Sequence, residues 1–150
     1  MTRIPAAPLL LGLAGLLPFL WGVVTMFVPP LGQWTAQTIG PRFVGPYVQL
    51  AYGTVILSFM SGVLWGFATR ATGAVAASGY ALSTVPALWA FFLVGGGPVS
   101  AAMYLALGFV GILGLDAMFQ AQNLAPRWWV SLRVILTTVV VLCLLPVIFG

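Results

Sequence analysis

Residues 129–149 read WVSLRVILTTVVVLCLLPVIF, a run in which Arg133 is the single charged residue. A hydrocarbon layer about 30 Å thick needs roughly 20 mostly apolar residues to be crossed as a helix, since each residue rises about 1.5 Å. A run of this length and character reads as a transmembrane helix. Four similar runs precede it, at 8–28, 47–68, 75–95 and 99–119, separated by Gly, Pro or Arg clusters. Such clusters end helices or seek water. The expected fold class is therefore all-α: an integral membrane helical bundle with five transmembrane helices, forming a single transmembrane domain over 1–150.

Composition leads to the same place. Hydrophobic residues make up 62% of the chain and charged residues 4%, with mean hydropathy +1.16. A water-soluble domain of this size needs a charged exterior that six charges cannot provide. All five bases are arginines, and the one acid is Asp116. A net charge of +4 would suit nucleic acid only if the bases formed a patch. Here they stand singly between apolar runs, so nucleic acid is not an expected partner. No histidine is present and Cys143 is the sole cysteine, which excludes an intrachain disulfide and the usual zinc, haem and iron–sulfur ligand sets. No cofactor is expected. Cys143 reads as a small buried hydrophobe.

The first run follows Arg3 and is longer than the apolar centre of a signal peptide, so it is expected to be retained as a span. Pro18 should kink it, and Pro29-Pro30 should end it. Leu31–Pro46 then reads as the one sizeable loop, with Gln33, Trp34, Gln37 and Arg42 lying flat along the membrane surface. Gly95-Gly96-Gly97-Pro98 reads as a hairpin turn; an anion-binding nest is the alternative. Five spans place Arg3, Arg70, Arg127 and Arg133 on one side and Arg42 on the other. The positive-inside rule then puts the N-terminus in the cytoplasm and the C-terminus in the periplasm of a bacterial inner membrane, or the N-terminus in the matrix of a mitochondrial one.

Three groups of residues are candidates for specific contacts. In the second span, Thr54, Ser58, Ser61, Gly62 and Trp65 share one helix sector, and Ser58, Gly62 and Gly66 repeat at intervals of four. In lipid, helices associate through close backbone approach over small residues and through hydroxyl hydrogen bonds. This face should pack inside the monomer, or else form a partner interface. Gly108, Gly111 and Gly114 offer a second smooth region on the fourth span. Asp116 lies near the end of that span, where an ionisable group is expensive; it should pair with Arg133 or Arg70, a proton site being the alternative. Arg127, Trp128, Trp129 and Arg133 form an aromatic and cationic cluster that can anchor the chain at the interface or bind an anionic lipid headgroup. Trp21, Trp89, Met60 and Met103 read as packing or lipid contacts.

Three blocks of the sequence resemble a known family. They are Pro8-Leu-Leu-Leu-Gly-Leu-Ala-Gly-Leu-Leu-Pro18-Phe, Tyr52-Gly-Thr-Val-Ile-Leu-Ser-Phe-Met-Ser-Gly-Val-Leu-Trp65-Gly66, and Ala125-Pro-Arg-Trp-Trp followed by Leu132-Arg133 and Leu136-Thr137. With Asp116, these are similar to the bacterial and mitochondrial membrane proteins related to transmembrane protein 69, a domain of unknown function. The resemblance implies a multi-pass inner-membrane protein with no established activity. It also implies that Trp65, Gly66, Asp116 and Arg133 act together.

Functionally, the first expectation is a non-catalytic accessory, structural or assembly subunit of a larger energy-transducing membrane complex. Its partners would be membrane lipids and other integral membrane subunits. The second is a small proton- or cation-coupled transporter or channel that uses Asp116, although five spans do not divide into two equal repeats. An enzyme is not expected: no serine has a histidine to activate it, and there is no second acid to pair with Asp116.

Overall fold

The computed structural model describes residues 3–150; Met1 and Thr2, the first two residues of the domain expected over 1–150, lie outside it. Seven α-helices follow one another: α1 Ala6–Ala14, α2 Leu17–Phe27, α3 Pro29–Thr38, α4 Tyr47–Ala68, α5 Gly73–Leu93, α6 Pro98–Ala121 and α7 Trp129–Phe149, with a 3-10 turn at Pro41–Phe43. Five segments are long and apolar enough to cross a membrane, the first being α1 and α2 in line over Ala6–Phe27.

That first span is broken where a kink was expected. Pro18 has no N–H to donate to Ala14, four residues earlier, and its ring crowds that carbonyl. Ala14 is accordingly the last residue of α1. The chain tightens through Gly15 and Leu16, whose N–H groups donate to Leu11 (2.9 Å) and Leu13 (3.1 Å), and Pro18 sits in the first turn of α2.

The segment 31–46 is not a loop lying beyond the first span. Pro29-Pro30 stop α2 but open α3, because a proline at the first helical positions needs no N–H partner and has its φ already set. Gly40, at φ 136°, turns the chain after α3. Two hydrogen bonds then fold the connection back onto α2, and a third, inside α2, fixes the hydroxyl that accepts one of them. Trp21 Nε1 donates to the Phe43 carbonyl at 3.0 Å, Gly45 N–H donates to Thr25 Oγ1 at 2.9 Å, and Thr25 Oγ1 donates to Gly22 O at 2.9 Å.

The core runs along one line of α4 and across α6: Leu57, Leu64 and Ala68 meet Leu105, Phe109, Ile112 and Phe119, with Phe19 from α2 and Leu144 from α7. Close approach is set by Gly108, one of the three glycines singled out on the fourth span, and by two others, Gly53 and Gly22. A Cβ on Gly108 would come within 2.8 Å of Leu57 and 2.9 Å of Trp89. A Cβ on Gly53 would overlap Leu105, and one on Gly22 would overlap Gln49. The outer surface along the spans is largely apolar, with Leu11, Phe91, Phe92 and Phe149 all more than 70% exposed. Such a skin is stable only in lipid.

Both helices that carry an internal proline are repaired from α4. Pro86 removes one N–H from the α5 ladder and displaces the carbonyls behind it. The Ser61 hydroxyl inserts at that point, donating to the Ser83 carbonyl and accepting from Ala87 N–H at 3.2 Å. Ser83 and Ala87 are the two ends of a single helical i→i+4 link. In α7 the proline is Pro146, and again the carbonyl three residues before it is taken by α4: Gln49 Nε2 donates to Cys143 O at 2.8 Å. In hydrocarbon no water can satisfy such groups, so the neighbouring helix must.

Candidate functional site

Asp116 is fully buried near the end of α6, and Arg133 is 3% exposed one turn into α7. The two form an ion pair, with Arg133 Nε donating to Asp116 Oδ2 at 3.0 Å. Trp129 Nε1 donates to the other oxygen, Oδ1, at 2.9 Å. Trp129 and Arg133 are four residues apart and therefore on one face of α7. The carboxylate also lies beside the start of α7, the positive end of the helix dipole. Both its oxygens thus hold donors, and its charge is balanced inside the bundle.

The connection between α6 and α7 is built around this pair. Gln120 Oε1 accepts from Val130 N–H at 2.9 Å and so caps the start of α7. Asn123 takes the left-handed conformation, φ 60°, that asparagine tolerates better than most residues. Arg70 does not pair with Asp116. Its Nη1 reaches across to the Leu124 carbonyl at 3.2 Å and ties the turn after α4 to the connection.

Two groups proposed from the sequence are rearranged. The cluster Arg127, Trp128, Trp129 and Arg133 does not form one surface patch. Arg127 is exposed, whereas Arg133 turns inward and the Trp129 N–H is committed to Asp116, its ring packed edge-on against Phe67 at 5.1 Å. On α4, only Ser61 of the small-residue face is buried within the monomer. Thr54 Oγ1 and Ser58 Oγ donate to their own helix, to Leu50 at 2.8 Å and Thr54 at 3.0 Å. A Cβ on Gly62 or Gly66 would meet no other part of the chain within 4 Å, and neither would one on Gly111 or Gly114 of α6. The helix packs through Gly53, Leu57, Ser61, Leu64 and Ala68 instead, a line turned by roughly a quarter of the circumference. Nor do Trp65 and Gly66 join Asp116 and Arg133. Trp65 is half exposed and packs at a tilt against Tyr80, with ring centroids 4.6 Å apart.

Gln49, Gly22 and Thr137 belong to the buried polar framework and were missed in the sequence. A signal did exist: Gln49 stands in the first turns of an otherwise apolar span, where an amide must find an internal partner. Among the described residues no group of three acids, histidines or cysteines could hold a metal.

A lipid-facing exterior around a single buried ion pair and two side-chain-repaired proline helices defines a multi-pass helical membrane protein. Residues 4–149 match the family described as protein of unknown function DUF3429, and the chain belongs to that family. It is similar to transmembrane protein 69 of Xenopus tropicalis, 36% identical over 146 residues that cover 93% of this chain and 53% of the relative. The chain thus spans about half the length of that relative. No solved structure matches.

Proposed function

We propose that this chain is a non-catalytic accessory, structural or assembly subunit of a larger energy-transducing membrane complex, respiratory or photosynthetic. One observation carries the reading: the small-residue face of α4 is left open. Ser58, Gly62 and Trp65 of α4 face Thr84, Ala87 and Leu88 of α5 across a groove of about 330 Å³, and no side chain of the monomer approaches Gly62. Surfaces of this kind let a second helix come close in lipid. Asp116 does not favour the transport reading, because both its oxygens are held by donors on α7.

The membrane proposed is the bacterial inner membrane, or the mitochondrial inner membrane in a eukaryote, with the N-terminus on the cytoplasmic or matrix side. The bond from Arg70 to Leu124 O brings the turns after α4 and α6 to one end. Arg42 lies in the connection at the other end.

The test is a mild-detergent pull-down of the tagged chain, with mass spectrometry and native sizing. A stoichiometric membrane partner is expected. Gly62→Leu should abolish its recovery while leaving the melting temperature of the isolated chain unchanged, since the leucine meets open space. A monomer that captures nothing, together with crosslinking in native membranes that finds no neighbour, would sink the proposal.

A further inference from the structure

Thr137 lies one turn beyond Arg133 on the same face of α7 and is 4% exposed. The Arg133 guanidinium spends only its Nε on Asp116. Its Nη2 and the Thr137 Oγ1 are both buried without a hydrogen-bond partner. Such groups are costly to leave unmade inside a bundle, more so than a made hydrogen bond is worth.

Both residues line one cavity, of about 270 Å³, enclosed by α1, α2, α4, α6 and α7. A second cavity of about 380 Å³ adjoins it through shared walls at Gly12, Met60 and Leu136, and runs to Pro126 and Trp128 at the surface. Leu11 and Phe59, 74% and 62% exposed, stand at the rim, so the opening faces lipid between α1 and α4. The break in the first span shapes this space, with Gly12 and Gly15 in its wall.

The chemistry of the walls selects the occupant. Arg133 and Thr137 offer donors, so the ligand must bring an acceptor oxygen. Asp116 already balances the charge of Arg133, and a second anion at this depth would be uncompensated; the acceptor is therefore neutral. Thr137 lies eight residues into α7, about 12 Å from its start, which is below the interfacial layer where glycerolipid headgroups sit. The rest of the wall is apolar, and Phe19, Tyr52 and Phe109 give it flat aromatic surfaces. We propose that the cavity binds the ring of a membrane-soluble quinone, its carbonyl oxygens accepting from Arg133 Nη2 and Thr137 Oγ1 and its apolar tail lying in the adjoining space. Binding alone is assigned, and it stands apart from the accessory reading: a chain without a protein partner can still hold the quinone.

The test titrates the purified, delipidated full chain with 2-decyl-1,4-benzoquinone by calorimetry, beside decylbenzene, 1,2-dioctanoylglycerol and dodecanoate. Saturable one-site binding of the quinone is expected, at least about tenfold tighter than that of the other three. Thr137→Val should weaken the quinone by about tenfold, the loss of one buried hydrogen bond, and leave decylbenzene unchanged. Equal binding of decylbenzene, tighter binding of the glyceride or the fatty acid, no saturable binding because water alone fills the site, or indifference to Thr137→Val in a folded chain would each overturn the proposal. If the valine variant does not fold, the four wild-type titrations decide the matter.

Discussion

Asp116 and Arg133 stabilise the bundle only as a pair. Taking two charges out of water is expensive, and the attraction between them offsets that expense only while both are present. Arg133→Met leaves the Asp116 carboxylate buried with the Trp129 N–H as its remaining donor, and should destabilise the chain by about 3–5 kcal/mol. Adding Asp116→Leu should recover most of that loss, because an apolar pair of similar volume is often neutral or better. Unfolding in mixed micelles, followed by circular dichroism, measures both. A double variant as unstable as the sum of the single ones would mean that the two residues do not compensate each other. The sequence could point to this pair because the chain has one acid and few bases. It could not choose between Arg133 and Arg70, since the choice depends on Arg70 reaching the Leu124 carbonyl, a contact 54 residues away along the chain.

At the scale of elements, α4 holds together two helices that their own prolines weaken. Ser61 bridges the gap that Pro86 opens in α5, and Gln49 takes the corresponding carbonyl in α7. Ser61→Ala leaves the Ser83 carbonyl and the Ala87 N–H facing an apolar space, and should cost about 1–3 kcal/mol. In a Pro86→Ala background the helix can close its own ladder, so the same substitution should cost less than about 0.5 kcal/mol. An undiminished cost in that background would show that Ser61 is not serving the proline break. How far the elements were legible follows the same physics. The runs at 47–68 and 129–149 coincide with α4 and α7 because long apolar stretches flanked by Pro46 and by Trp128 leave little choice of boundary. The helix α3 was hidden because Pro29-Pro30 act both as a stop and as a start, and only the turn at Gly40 and the bonds back to α2 distinguish the two. The packing face of α4 was misjudged for another reason. Small residues mark where a neighbour can approach closely, whereas Leu57 and Leu64 fill the contact that this monomer makes.

For the whole molecule, sidedness is the property that the bundle and its arginines jointly imply. Five crossings would send the two ends of the described chain to opposite faces. Arg3, Arg70 and Arg127 gather at the face that carries the turns after α4 and α6, while Arg42 sits with α3 at the other. Arginine is retained on the cytoplasmic side of short loops, so the α3 connection is expected outside. Cysteine labelling checks this without disturbing any arginine, because Cys143 is the only thiol and is buried. In a Cys143→Ala background, Gln37→Cys and Gln122→Cys place single thiols at exposed positions, one in α3 and one between α6 and α7. A membrane-impermeant maleimide applied to intact bacterial cells should label Gln37→Cys fully. It should reach Gln122→Cys only after lysis. The opposite pattern would invert the molecule and place the Asp116–Arg133 pair near the outer face. Labelling of both positions in intact cells would mean that the chain inserts in two orientations, which three exposed arginines against one should prevent.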